Sequence, residues 1–571
     1  MPRPLAPRRL MPAAGALIAL GATLLCAGPA HASSAQTSAL QDDQLLIYSG
    51  PEKMARTLDT LRGLGVQQIR VSVFWRGVAP QPLSKRRPAF DASDPAAYPP
   101  GTWDRYDLLV AAAHLRGMTV NFDITGPAPL WATGSPRRKD IANVYTPSAH
   151  EFRLFVHAVA ARYTGSYPAA GSALARTSPR DCGLFGIGCP SPGPSPGPSP
   201  TPTGPTPTAP PASVIPKVDF WTVWNEPNQP GWLDPQWSPS RHGWVETAPA
   251  LYRGLLDAAW SALQATGHGA DTIAFGDTAP EGVHKKGPTR AIRFLVFLRR
   301  LYCLDDRYRP LTGQSARARR CPTTASARAA FPDAHPALFN ASGYAHHPYQ
   351  LYRSPDRPSP DRDYVTIVSL PRLSVALARA TQAYGRGRGG MPLYLTEFGF
   401  QSRPPNPRGV GLSQQAAYLD EGEFLAYSNP WVRSLTQFLL QDDAARPGRN
   451  PARGSDATFQ TGLQFLGGRP KPALVAYRLP LYLPRTSVRR GGALRVWGLA
   501  RAAGGLRQTV AVQLRPAGGG ARFSTLASFT TTASGYLDVG VPLRAGGYLR
   551  LSWRRPDGHP VISRLVAVHV R

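Results

Sequence analysis

A (β/α)8 barrel followed by an antiparallel β-sandwich is the fold class that the 571-residue sequence predicts, on three observations. Apolar, strand-like runs alternate with helical periodicities through most of the chain, which implies parallel strands joined by crossovers. The count reaches eight such units, enough to close a barrel. Beyond residue 482 the pattern changes to short alternating segments separated by Gly-rich turns, with no helical stretch between them, the signature of a small sandwich.

The elements follow in order. Residues 45–48 supply the first expected strand and 55–64 the first helix. Strand 67–75 comes next, with Ile69, Val71 and Val73 alternating. Helix 105–116 leads to strand 119–124, and helix 148–163 carries Phe152, Phe155, Val156 and Val159 on one face. Strand 218–224, helix 250–266, strand 272–276, helix 290–301 and strand 342–346 continue the series. Helix 372–384 leads to strand 393–398, helix 414–428 to strand 434–440, and a last helix lies near 472–479. The barrel is therefore expected over residues 42–480 and the sandwich over 482–571, its strands at 493–499, 509–514, 537–541, 548–553 and 565–570.

Arg3, Arg8 and Arg9 precede an apolar run at 11–27, and Ala30-His31-Ala32 offers the small residues a signal peptidase accepts. Residues 1–32 thus read as a signal peptide, the protein as secreted and extracellular, with no membrane span after removal. Four cysteines remain: Cys182, Cys189, Cys303 and Cys321. An even number in an exported chain suggests disulfides; 182–189 and 303–321 are the nearest pairings, with three connectivities open. Residues 191–211 are almost entirely Pro, Gly, Ser and Thr and cannot bury a core. The strand–helix pattern continues on both sides, so this tract reads as an insertion into the barrel.

Gly 55 and Pro 61 together make about a fifth of the chain, below the ~25–30% of a low-complexity protein. Collagen-like and disordered classes are excluded. The formal net charge is +30, and 58 of the 65 basic residues are Arg. They are spread over the whole length rather than gathered in a run, which describes a solvated surface; no nucleic-acid partner is expected.

Working groups of a (β/α)8 barrel project from the C-terminal ends of its strands. Two strands end in Glu: one runs into Asn225-Glu226-Pro227-Asn228, the other into Thr396-Glu397-Phe398-Gly399. Between them in the sequence lies Ala345-His346-His347-Pro348-Tyr349. A pair of carboxylates so placed suits glycoside hydrolysis, where one acid protonates the leaving oxygen and one carboxylate acts at the anomeric carbon.

In these segments the chain resembles the clan A retaining glycoside hydrolases, the superfamily of family 5 cellulases and family 39 β-xylosidases, over approximately residues 42–480. The resemblance implies Glu226 as general acid/base and Glu397 as nucleophile, with Asn225 on the sugar 2-hydroxyl. It further implies that His347 and Tyr349 hold substrate and nucleophile, and that Arg70 supports the nucleophile. Retention needs carboxyl groups ~5–5.5 Å apart, with Glu226 raised by burial and Glu397 held ionised by Arg70 and Tyr349. No metal or organic cofactor is implied, and the expected partner is a carbohydrate.

Trp75, Trp131 and Trp232 lie in loops after strands and are expected to line sugar subsites, since indole rings stack on the C–H faces of sugars. Trp221 and Trp224 sit within one strand at a spacing that puts them on opposite faces, so at least one is packing. Rival readings are a non-catalytic glycan-binding barrel and a surface protein that binds polyanions through its arginines.

Overall fold

Parallel strands covered by helices on the outside need apolar side chains outward and a filled lumen inward. Strand β2 (Gln68–Phe74) shows the division: Ile69, Val71 and Val73 are buried towards the helices, while Arg70 and Ser72 point into the lumen. The computed structural model describes residues 32–33, 35–169, 214–241, 243–387, 390–444, 458–518 and 521–571. Residues 1–31 of the expected signal peptide, Cys182, Cys189 and the Pro-rich tract 191–211 lie outside the described residues.

Eight parallel strands close the barrel. They are β1 (Thr37–Gln41), β2, β3 (Thr119–Thr125), β4 (Phe220–Val223), β5 (Thr272–Thr278), β6 (Gly343–His346), β7 (Leu393–Phe398) and β8 (Val432–Phe438), with β8 pairing β1. Each strand is followed by a crossover helix packed on the outside: α1 (Pro51–Gly63), α2 (Asp104–Leu115), α3 (Ala149–Arg162), α4 (Ala248–Ala265), α5 (Phe294–Leu301), α6 (Leu370–Gln382), α7 (Leu412–Tyr427) and α8 (Pro472–Arg478), with shorter helical turns in the loops. The lumen floor is a layer of Phe220, Ala274, Ala345 and Tyr394. The Cys303–Cys321 disulfide, Cα atoms 5.6 Å apart, staples the long connection from α5 to β6.

The first strand differs from expectation. Residues 45–48 are not a strand: Asp42 caps a helical turn, Asp43–Leu46, by accepting from the Leu45 N–H at 3.1 Å. The strand is Thr-Ser-Ala-Leu-Gln, N-terminal of the expected boundary at 42. It carries one large apolar side chain and so gives little periodicity, but hydrogen bonds to both β8 and β2 hold it in place.

Two sheets, antiparallel except for one short edge pair, complete the chain. One contains β9 (Ala493–Leu499) and β12 (Tyr536–Pro542); the other contains β10 (Thr509–Pro516), β11 (Ser524–Thr530), β13 (Gly547–Arg554) and β14 (Val566–Val570). Their inner faces share a core that includes Val496, Val512, Leu549, Leu551 and Trp553. Strand β11 escaped the sequence pattern because it is mostly Ser, Thr and Ala. Arg501 joins this domain to the barrel, donating to Glu423 and to Ser38, each at 2.5 Å.

Asp42 also closes the barrel seam. Its second oxygen accepts from the Leu440 and Gln441 N–H groups, both at 3.1 Å, which ties the end of β1 to the end of β8. Asp42→Ala leaves three N–H groups without an acceptor, those of Leu45 and Leu440 buried, and is expected to cost about 3 kcal/mol. Thermal unfolding followed by circular dichroism should show the lowered midpoint; an unchanged midpoint would mean the seam does not depend on this carboxylate.

Candidate active site

Strict alternation along β5 and β7 would turn two acids outward. In β5, Ile273 and Phe275 face the helices, so Asp277 would follow; in β7, Leu393 and Leu395 face out, so Glu397 would follow. The pairing slips between Phe275 and Thr278 on β5, and between Leu435 and Gln437 on β8 opposite the end of β7. Such bulges re-aim side chains, and here they bring Asp277 and Glu397 into the lumen. Gly276 makes the first bulge possible: at φ 114°, a Cβ there would lie 2.6 Å from both the Ala345 carbonyl and the Tyr344 ring.

Arg70 is the centre of the arrangement. Its side chain is buried and donates to Glu397 Oε1 at 3.0 Å, Asp277 Oδ2 at 2.8 Å and Asn225 Oδ1 at 3.2 Å. It also donates to Gln41 and lies 3.2 Å from Asp123. Because Arg70 engages Oδ1 of Asn225, the amide NH2 of Asn225 is the part left to face the cleft as a donor.

His347 bridges the acids. Its Nδ1 is 3.0 Å from Glu226 Oε1 and 3.5 Å from Glu397 Oε2, and its Nε2 is 3.3 Å from Asp277 Oδ1. Tyr349 donates to Glu397 Oε2 at 3.0 Å. Both oxygens of Glu397 are thereby held, while the Glu226 side chain remains 21% exposed to the cleft. One ligand atom from each of Glu226, His347 and Glu397 lies within 4.8 Å of the others. That donor set suits a divalent cation in number, but the Arg70 guanidinium already occupies a Glu397 oxygen and would repel one.

Burial alone would strip His347 of its proton, yet Glu397, Asp277 and Glu226 outweigh it and raise the imidazole to about 10. Burial has its way with His346, which touches no carboxylate: it falls to about 3, held between the Val365 carbonyl and Thr278. Asp277 is pushed up by burial, but Arg70 and then His347 hold it well below the usual carboxylate range. Asp123 goes well above that range, because burial exceeds the help from Arg70. Glu397 is also raised by burial, with His347 and Arg70 opposing, where the sequence suggested that Arg70 and Tyr349 would hold it down.

The backbone around the site is strained. Trp224 (φ 65°), Glu226 (φ 40°) and Asp277 (φ 44°) all adopt left-handed conformations without being glycine, at a cost of about 1–3 kcal/mol each. The Glu226 N–H donates to the Asp277 carbonyl at 2.8 Å, so the strained ends of β4 and β5 brace one another.

A cleft of about 250 Å³ opens over Glu226 and Glu397, lined by Asn225, Trp232, Phe74, Phe438, Phe459, Asp43 and Asp443. On the other side of Glu226 a second hollow of about 440 Å³ is lined by Tyr349, Tyr352, Arg353, Glu281 and Arg408. Trp232 stands parallel to Phe74, ring centres 6.4 Å apart.

Trp75 and Trp131 are corrected. The chain turns from β2 into the helical turn Trp75–Val78, which rolls Trp75 away from the cleft to stack on Phe155 at 5.6 Å. Trp131 meets Trp75 edge-on, donates to the Pro80 carbonyl at 3.0 Å and is covered by Arg87. Trp221 and Trp224 are both fully buried packing residues. Asp123 and Asp277 were missed by the sequence reading, which looked for ionisable side chains at strand ends and took up only the two Glu; the available signal was a single acid near the C-terminal end of each of the strands Thr119–Thr125 and Thr272–Thr278.

No protein-family model matches the chain, and no curated protein matches it. Among solved structures it is similar to Fpglu1 from Fervidobacterium pennivoraus, at 13% identity over 79% of this chain and 95% of that one, TM-score 0.40. It is similar to GH5_18 from Bifidobacterium longum, at 10% identity over 78% of each chain, TM-score 0.38. It is also similar to a glycoside hydrolase family 5 protein from Bacteroides vulgatus, at 9% identity over 94% of this chain and 89% of that one, TM-score 0.39. Values this low leave the function to be read from the site itself.

Adjacent histidines in opposite charge states are the expected signature of this site. With a folded value about 10 against ~6.5 unfolded, the stabilisation from charged His347 is full below pH ~6.5 and lost as pH rises through the folded value. Nitrogen-detected NMR of the imidazoles at pH 8 should show His347 protonated on both nitrogens and His346 on one. A His347 that titrates near 6.5 would contradict the geometry.

Proposed function

We propose that this protein is a retaining glycoside hydrolase that cleaves β-glycosidic bonds of oligo- or polysaccharides by double displacement. The observation that carries the reading is the pair of carboxylates, Glu226 and Glu397, within 4.8 Å across one cleft, a separation suited to a retaining mechanism, where the groups stand ~5–5.5 Å apart.

Two cations face the glutamate pair: His347 lies 3.0 Å from Glu226 and 3.5 Å from Glu397, and Arg70 lies 3.0 Å from Glu397. Arg70 and Tyr349 donate to both oxygens of Glu397, which suits it to act as the carboxylate of the pair, while Glu226 faces the cleft and the leaving oxygen.

Glu397 then acts as nucleophile at the anomeric carbon while Glu226 protonates the departing oxygen. A glycosyl-enzyme ester forms on Glu397, and Glu226, now a carboxylate, takes a proton from the incoming water. Asn225 presents its NH2 to the sugar at the centre, and Trp232 with Phe74 offers an apolar wall for its C–H face. We place the reaction outside the cell, where the Cys303–Cys321 bridge would persist.

Glu397→Ala is expected to lose at least about 10³-fold in kcat on an aryl β-glycoside, with azide restoring turnover by attacking from the vacated face. Glu226→Gln should lose about 10²–10⁴-fold on substrates with poor leaving groups and much less on activated aryl glycosides. The anomer first released by the wild type, read by NMR, should be the one that was cleaved. An unaltered rate in Glu397→Ala would overturn the assignment of the nucleophile, and no hydrolysis of any β-glycoside by a protein that still binds them would leave a glycan-binding barrel.

A further inference from the structure

Basic charge is denser in the C-terminal domain than in the barrel, and it takes no part in the barrel site. Residues 482–571 hold 14 Arg, no Lys, no Glu and two Asp. Both Asp are engaged: Asp538 by Arg495 at 2.7 Å, and Asp557 by Arg555 at 3.0 Å and His559 at 3.2 Å. Arg501 and Arg564 pair with barrel acids, Glu423 and Asp420. No carboxylate of this domain is left for the outer face of its larger sheet.

That face is built in register. On β10 and β13, Val510, Val512, Leu514, Leu549, Leu551 and Trp553 point to the core, so Gln513, Arg515, Tyr548 and Arg550 point outward. Gln513 lies opposite Arg550, and Arg515 opposite Tyr548. Arg515 lies over the rings of Phe523 at 5.1 Å and Tyr548 at 5.2 Å, and Arg550 over Phe523 at 3.7 Å. Gln513 fixes the Arg550 guanidinium by accepting from its Nε at 2.9 Å. Tyr548 is 43% exposed.

Two like charges parked on the same aromatic ring repel, and the rings cannot neutralise them. An anion placed between the guanidiniums relieves that repulsion and receives planar, paired N–H donors, a geometry that Arg provides and Lys does not. The exposed tyrosine ring adds a stacking surface for a sugar.

We propose that the outer face of β10 and β13, centred on Arg515, Arg550 and Tyr548, binds an anionic polysaccharide bearing carboxylate or sulfate groups. The choice of glycan over nucleic acid rests on the reading of the barrel as a glycosidase; the face itself does not involve Glu226 or Glu397.

The test uses the full chain in affinity electrophoresis and calorimetry at fixed salt, with polygalacturonate, dextran sulfate, neutral dextran and a single-stranded oligodeoxynucleotide as probes. Polygalacturonate or dextran sulfate should bind, and which of them binds tighter identifies the anion. Arg515→Gln with Arg550→Gln should weaken binding at least about tenfold. Arg489→Gln with Arg507→Gln removes the same charge elsewhere on the domain and should change it less than about twofold. Tyr548→Ala should weaken it by an intermediate factor. Glu397→Ala should bind like the wild type, which separates this proposal from the enzymatic one. Equal losses in the two Arg pairs would mean diffuse charge attraction and overturn the proposal. So would neutral dextran binding as tightly, or an oligonucleotide binding as tightly and weakening in the same variants.

Discussion

A guanidinium buried at the mouth of a barrel is the constraint on which the rest of the site depends. Arg70 cannot discard its charge, and leaving it unpaired in the lumen costs several kcal/mol. Asp123, Asp277, Asn225, Gln41 and Glu397 come from five different strands or strand ends, and each meets it. The same contacts that neutralise Arg70 fix the orientation of Asn225 and one oxygen of Glu397. Stability and chemistry therefore share one set of hydrogen bonds, and removing Arg70 would strand at least two buried carboxylates.

Around that centre the barrel departs from its own regularity where a functional group must be aimed. Slips in register beside β5 and β7 turn Asp277 and Glu397 inward, and left-handed backbone at Trp224 and Glu226 turns the end of β4 towards them. Strained positions of this kind persist only when neighbours over-determine them. Here the Glu226–Asp277 backbone bond, Arg70 and His347 supply that support. The strain is stored in the strand ends, while the outward faces remain ordinary apolar packing against the helices.

The two domains distribute charge differently. In the barrel, buried cations are matched to acids within a few ångströms, so the site is nearly neutral despite the basic chain. In the sandwich the only two acids are already paired, and Arg515 and Arg550 rest on aromatic rings. A polyanion attracted to the chain as a whole would find its paired donors there rather than in the barrel cleft.

The sequence by itself determined the class of fold, because strand and helix periodicities are local and survive without tertiary context. It also marked Glu226 and Glu397, each a carboxylate at the end of an apolar run, while Asn225, Arg70, His347 and Tyr349 were reached through the resemblance of their segments to the clan A glycoside hydrolases. Strand β1 was illegible, being small and polar, as was β11. Trp75 and Trp131 looked like cleft residues because both follow strands, and only the helical turn at Trp75–Val78 sends them to packing positions. Only the tertiary structure decided that Asp123 and Asp277 belong to the cluster, and which histidine is charged. Those outcomes depend on register slips and on distances between groups brought together from separate strands, and neither is encoded in the spacing of residues along the chain.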